Sequence, residues 1–437
     1  MENNSIFNSE NRFVKLNLPE KFDLVVGDNF ELFYKGIISA IDPYRFDYEI
    51  SFDGKNFGHS FKRKYVWTPE LCDVGQHRMS LTVRGDNGVV VDSGSVILNV
   101  VDKPKSPNSQ KVVLCVGDSL TRNGIWPAEF GRRLTATGGM PEGYGLDNIR
   151  FIGESNKDGY HYTGVGGWNF ISYNTENKNG KTHCVYGDFD KTDADQHSIY
   201  SDSDGNHWKL ETIENNKIKI DRILTVTKDF SPHGTLIHVG GGMNHSPIVY
   251  SFEEPAASNP FWYQDTQKVD FLRYAKEKGV NHIDYCYVLL GWNSTRVPEE
   301  DYKAQTRTFL DNLFVAFPNC KVSLMGIQVP SRDGIGQNYG VSWKYTEKLS
   351  FVWELQRWYT EISKEPAYFG KVEYVNVSGQ FDTDYNMISG EFAANNRNQT
   401  IERRQINGVH PASEGYLQIA DVALRNFVSK LSYDEKN

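Results

Sequence analysis

The pattern of apolar and polar positions changes character near residue 102. Before it, seven short β-rich stretches follow one another: Phe22 to Val26, Phe30 to Phe33, Phe46 to Phe52, Lys64 to Trp67, Met79 to Val83, Val89 to Asp92 and Ser95 to Val101. Turn residues separate them, with hairpin signals at Asp53-Gly54 and Asp86-Asn87-Gly88. Short strands with frequent turns predict an all-β sandwich over residues 1–102. The Pro-rich stretch from Asp102 to Gln110 predicts a linker at 103–110 and a domain boundary there.

Residues 111–437 read differently. Val112 to Val116 is a continuous apolar run, the mark of a strand buried on both faces of a parallel sheet. Ile149 to Gly153, Ile283 to Leu290, Lys321 to Pro330 and Val372 to Val377 predict further strands. Helical spacing recurs between them. It is carried by Phe130 and Leu134 after Pro127, by Val269, Leu272 and Ala275 up to Gly279, and by Tyr302, Thr306, Phe309 and Leu313. Leu349, Val352, Leu355, Tyr359 and Ile362 carry it again, as do Tyr416, Ala420, Leu424 and Phe427. Alternating helix and strand predicts an α/β fold around a doubly wound parallel sheet. Residues 172–250 break the alternation. Ser198 to Ser201, Trp208 to Ile213, Lys217 to Ile220 and Ile223 to Val226 predict a β-rich insertion that roofs the site.

Candidate chemistry sits at the strand ends, where open α/β sheets place their ligands. The first apolar run ends in Gly117-Asp118-Ser119, which reads as a nucleophile or as a plain strand-to-helix turn with a capping Ser. The Gly-rich loop from Gly159 to Trp168 either brings a backbone amide close to a substrate or is simply a flexible loop. Gly291-Trp292-Asn293 ends another strand, and Asn293 there is an oxyanion donor or an Asx-turn residue. His410 precedes the last helix, within reach of a general-base role or a structural one.

Composition narrows the classes. With a formal net charge of -9 and 13% aromatic residues, the chain lacks the basic face that nucleic acid requires. No apolar run approaches a membrane span, and Met1 to Glu10 are too polar for an ordinary signal peptide. The default expectation is a cytoplasmic protein, the alternatives being secretion without its leader or association with a phage particle. Five scattered cysteines (Cys72, Cys115, Cys184, Cys286, Cys320) argue against a disulfide framework or a zinc site. Asp188, Asp190, Asp193 and Asp195 lack the Gly and Glu of a calcium loop and read as a solvated turn.

Taken together, the blocks over residues 111 to 431 resemble the SGNH (GDSL-type) hydrolase family. Gly117-Asp118-Ser119-Leu120 is similar to its first block, Gly167 to the Gly of its second, Gly291-x-Asn293 to its third, and His410-Pro411 to its last. The resemblance implies a three-layer α/β/α fold and a serine esterase without metal or cofactor. Ser119 would be the nucleophile and His410 the base, with Gly167 and Asn293 as oxyanion donors. One position departs: the family's Asp three residues before the His is Asn407 here. Three accounts follow. A Ser-His dyad uses a backbone carbonyl; a carboxylate such as Asp382, Asp384 or Glu402 stands in; or the site is weakened. Trp168 and Trp292 flank two oxyanion residues and are candidate substrate-binding rings. With the added β module they point to acetyl or other small acyl esters on carbohydrate. The rival readings are a lipase or thioesterase on longer chains, and a catalytically weakened glycan-binding or particle-surface protein. Asp73-Val74-Gly75-Gln76-His77 resembles the Asp-x-Gly-x-Tyr corner of immunoglobulin-like domains, with His for Tyr.

Overall fold

The computed structural model describes residues 14–176, 259–334 and 344–434, together with the backbone of six strands between residues 183 and 253. In the amino-terminal part, strands β1 (Lys21–Val25), β2 (Phe30–Phe33), β3 (Asp47–Phe52), β4 (His59–Ser60), β5 (Lys64–Trp67), β6 (Gly75–Arg84) and β7 (Val90–Val101) form two sheets. One has the order β1-β7-β6-β3 and the other β2-β5-β4. Phe22, Leu24, Leu32, Tyr65, Leu81 and Leu98 fill the space between them. The two stretches expected at Val89 to Asp92 and Ser95 to Val101 are one strand, because Ser93 and Gly94 stay paired to Thr82 and Leu81. Strand β4 was not expected.

The second part is built on a parallel sheet. Strand β8 (Lys111–Gly117) is central. The lower half of one edge pairs with β9 (Ile149–Ile152), and the upper half with β10 (Tyr160–Gly164). On the other side follow β11 (Tyr285–Leu289), β12 (Lys321–Met325) and β13 (Val372–Val375), all parallel. Every residue from Val112 to Val116 is fully buried, so the continuous apolar run reports burial on both faces. Helices α1 (Ser119–Arg122), α2 (Ile125–Thr135), α3 (Phe170–Asn174), α4 (Phe271–Glu277), α5 (Glu299–Ala316), α6 (Tyr345–Ser363) and α7 (Ser413–Asp434) connect the strands. α2 packs on α7, while α3, α4 and α6 pack on α5. Phe130, Leu134, Tyr416, Ala420, Leu424 and Phe427 are all buried, as their spacing requires.

The insertion is a closed antiparallel barrel of six strands, from His183–Tyr186 to Ile248–Glu253. Lys217–Leu224 is one strand where two were expected. The four aspartates between 188 and 195 lie outside the described residues. Asn259 staples the chain where it returns from the barrel, donating to the carbonyls of Tyr173 (2.7 Å) and Thr175 (2.8 Å). An antiparallel hairpin, β14 (Ser389–Asn395) and β15 (Asn398–Gln405), also departs from the sequence reading.

The segment from 102 to 110 has no helix or strand, yet it is held: Ser106 Oγ accepts from the Asp147 amide and Asn148 donates to the Pro107 carbonyl. The β module sits directly against the parallel-sheet part. Arg133 of α2, only 2% exposed, bonds Asp28 (2.7 Å) and Asp421 (2.8 Å). Asn426 reaches Asp23 at 3.1 Å. At Gly36 a Cβ would fall 1.8 Å from the Ser378 carbonyl oxygen, so glycine permits the close approach there.

Candidate active site

The four sequence blocks meet at the carboxyl ends of β8, β10 and β11 and in the loop before α7. The β8 strand ends at Gly117, where a Cβ would lie 2.0 Å from Thr121 Oγ1 and 2.7 Å from the Leu289 carbonyl. Without a side chain at 117, the strand turns at once into α1. Asp118 caps that turn, its carboxylate accepting from the Leu120 amide at 2.9 Å. The half-buried Ser119 is thereby placed at the end of the central strand.

His410 Nε2 lies 2.8 Å from Ser119 Oγ, across 291 residues of sequence. The loop carrying His410 is shaped by Asn407, 2% exposed, whose Oδ1 accepts from the amides of Val409 (3.0 Å) and His410 (2.8 Å). Those two donors set the orientation of the amide. Nδ2 therefore faces His410 Nδ1, at 3.4 Å. An N–H donor at that position favours the tautomer with Nδ1 bare and the proton on Nε2. In that form Nε2 donates to the serine hydroxyl and cannot take its proton. An aspartate would accept the same two backbone bonds with one oxygen and Nδ1–H with the other.

Asn293 joins the other blocks. Its Nδ2 donates to Asp118 Oδ2 (3.1 Å) and to the Trp168 carbonyl (2.9 Å), so it touches the neighbours of both Ser119 and Gly167. As an oxyanion donor it has to share or exchange the Trp168 bond. Gly167 is exposed at the tip of the loop after β10, with a left-handed φ of 77°. That loop is tied to β8 through the Val165 amide, which donates to the Gly117 carbonyl (3.1 Å). Burial pushes the Asp118 carboxyl up to about 7.

Two expectations need correction. Trp168 is fully buried and Trp292 3% exposed, so neither ring offers a face for a substrate. Both belong to the core that supports the loops. None of the three candidate stand-in carboxylates serves His410. Asp382 pairs with Arg63, and Asp384 with Lys35, Arg63 and Tyr44, all at the β-module boundary. Glu402 pairs with Arg404 at 2.8 Å on the exposed hairpin.

Sequence reasoning missed the residues that brace the histidine loop. Gln328 donates to the Val409 carbonyl, the Ser331 amide donates to the Gly408 carbonyl (3.0 Å), and Ser331 Oγ donates to Gln405 (2.6 Å). The signal was Gln328 inside the stretch read as strand and Ser331 just past its end; β12 ends at Met325, and the rest is this brace. Lys348, 4% exposed, donates to Thr295 at 2.6 Å, and burial pushes its ammonium down to about 8. No cluster able to hold a metal ion occurs among the described residues. Among them Cys72 is an exposed free thiol, and Cys115, Cys286 and Cys320 are buried free thiols. No described helix is long and apolar enough to cross a membrane.

No family model matches the chain, and no curated protein matches it. Among solved structures it is similar to a peptidoglycan O-acetylesterase (13% identity, 74% of this chain and 92% of that chain, TM-score 0.35). It is also similar to a carbohydrate esterase family 3 protein from Talaromyces cellulolyticus (13% identity, 74% and 99%, TM-score 0.34). A carbohydrate acetylesterase from Sinorhizobium meliloti compares likewise (13% identity, 74% and 100%, TM-score 0.34).

Proposed function

We propose that the chain is a serine esterase of the SGNH type that removes small acyl groups, acetyl foremost, from carbohydrate. The observation that carries this reading is the 2.8 Å contact between Ser119 Oγ and His410 Nε2 at the end of the central parallel strand. The bonds of Asn293 to Asp118 and Trp168 add the other two blocks to the same place. In this reading the sheet and its two helix groups form a three-layer α/β/α core. The β module is immunoglobulin-like, supported by His77 Nε2 lying 2.7 Å from the Asp73 carbonyl oxygen, where a corner tyrosine would bond.

The mechanism is acyl transfer. His410, with the proton on Nδ1, takes the Ser119 proton as Oγ attacks the ester carbonyl. The amides of Ser119 and Gly167 and the Asn293 side chain receive the oxyanion, one such donor contributing roughly 3 kcal/mol. His410 then protonates the leaving alcohol, and water hydrolyses the acyl-enzyme by the reverse roles. With Trp168 and Trp292 buried, the carbohydrate part rests on the motif resemblance and the added β module.

A second reading has its own observation: the Asn407 amide faces His410 Nδ1 at 3.4 Å, a donor that favours the unreactive tautomer, as a weakened site would. A nitrophenyl ester series from acetyl to long acyl, with wild type and Ser119→Ala, separates the readings. The esterase reading expects short esters to be cleaved by wild type alone. Preference for long chains would instead mean a lipase or thioesterase. Glycan binding that survives Ser119→Ala, without hydrolysis by wild type or Asn407→Asp, would mean a binding protein.

A further inference from the structure

The residue whose amide faces His410 Nδ1 is also placed to change its own chemistry. Asn407 is followed by Gly408, and the side chains of asparagines before glycine are the most prone to cyclise onto the next backbone nitrogen. We propose that Asn407 is a self-processing site, whose loss of ammonia converts it to aspartate and completes the catalytic triad. The proposal rests on the esterase reading of Ser119 and His410.

Three features of the loop carry the argument. The Val409 and His410 amides donate to Asn407 Oδ1 at 3.0 and 2.8 Å. They polarise the side-chain carbonyl and hold the oxygen on which charge develops when Cγ is attacked, as oxyanion donors do. The leaving nitrogen, Nδ2, lies 3.4 Å from His410 Nδ1, a ring nitrogen able to hand it a proton when the imidazole is charged. The residue whose nitrogen attacks is anchored through the peptide that follows it, the Gly408 carbonyl accepting from the Ser331 amide at 3.0 Å.

The step balances without an oxidant or cofactor. The Gly408 nitrogen loses its proton and bonds to Asn407 Cγ; the Cγ–Nδ2 bond breaks and ammonia leaves. Water then opens the five-membered imide. Attack at Cγ restores the Gly408 N–H and leaves a carboxylate at position 407. One of its oxygens keeps both backbone bonds, and the other replaces Nδ2 as an acceptor for His410 Nδ1–H. Attack at the main-chain carbonyl gives isoaspartate instead, which lengthens the backbone by one carbon and displaces His410. The loop's own bonds favour the first product. Burial of Asn407 at 2% exposure limits motion of the loop, so conversion in the folded chain is expected to be slow compared with an unfolded one.

The test follows freshly purified full-length protein during long incubation at mildly alkaline pH. Two quantities are read together: the mass of the tryptic peptide spanning Gln405 to Arg425, and the rate of p-nitrophenyl acetate hydrolysis. Heavy-oxygen water marks the newly acquired oxygen, and chromatography separates aspartate from isoaspartate. The proposal expects the acid form to accumulate and activity to rise with the aspartate fraction, by about 10³-fold at full conversion. Asn407→Gln, whose longer side chain does not form the five-membered ring, stays flat in both. A folded protein whose peptide mass never changes, while a urea-unfolded sample converts, overturns the proposal. So does conversion chiefly to isoaspartate with falling activity. Inactivity of fresh Asn407→Asp toward every ester refutes the esterase reading instead, so the two failures are distinguishable.

Discussion

Replacing Asn407 by Asp changes one atom and should change the rate by orders of magnitude. The substitution keeps the oxygen that accepts from Val409 and His410, so the loop has no reason to move. It removes the N–H group 3.4 Å from His410 Nδ1 and puts an anionic acceptor in its place. Two effects add. Turning the imidazole to the reactive tautomer against a facing donor costs about 1–3 kcal/mol in the wild type, the usual cost of an unmade buried hydrogen bond. The positive imidazolium that forms at the transition state also meets, in the variant, an anionic acceptor at Nδ1 in place of an N–H donor. In a serine protease triad the reverse change, Asp to Asn, lowers kcat about 10⁴-fold, or about 5 kcal/mol. Asn293 and Gly167 are untouched, so KM should move little. We expect kcat/KM for p-nitrophenyl acetate to rise about 10³-fold in Asn407→Asp, with an unchanged melting temperature. An equal or lower rate in a variant that melts like wild type would refute the tautomer argument.

Other consequences are equally open to measurement. Gly117→Ala would force a methyl group against Thr121 Oγ1 and the Leu289 carbonyl; a loss of about 1–3 kcal/mol in urea unfolding, with slower hydrolysis, is expected. Asp28→Ala would leave Arg133 with Asp421 alone and remove the carboxylate 3.7 Å from Arg425, at a cost of about 3 kcal/mol; an unchanged urea midpoint would contradict that account of the boundary. Burial keeps Asp118 protonated up to about 7, whereas an unfolded Asp ionises near 3.9. Between those values the native state binds the extra proton, so stability falls as pH rises from about 4 to 7 and levels off above. Asp118 should contribute on the order of 4 kcal/mol to that fall. Urea midpoints of wild type and Asp118→Asn should therefore diverge with pH across that window, and a constant difference would exclude it.

The parallel sheet was legible because strands buried on both faces have to be apolar throughout, as Val112 to Val116 are. Three of the four blocks were legible because they end such a strand or open the last helix; Gly167 instead follows β10, a short mixed strand inside the stretch read as a Gly-rich loop. What the sequence hid has physical reasons. No residue of the hairpin β14–β15 is buried, so burial imposes no alternation on it. Trp168 and Trp292 stand beside polar site residues, but adjacency along the chain does not distinguish a cleft wall from the core beneath it. The boundary cluster joins Asp28, Arg133, Asp421 and Arg425, charges too far apart in sequence to show any local signal. Asn407 was legible as a departure from the motif. Its consequence was not, because the orientation of its amide is decided by two backbone donors that only the folded loop brings together.

The central claim is that Ser119 is a nucleophile served by His410. A fluorophosphonate probe tests it most directly, because the reagent bonds an activated serine and needs no knowledge of the natural ester. The account predicts labelling of the peptide that carries Ser119, faster in Asn407→Asp than in wild type, and none in Ser119→Ala. Absence of labelling in both wild type and Asn407→Asp, or labelling that persists in Ser119→Ala, would contradict it.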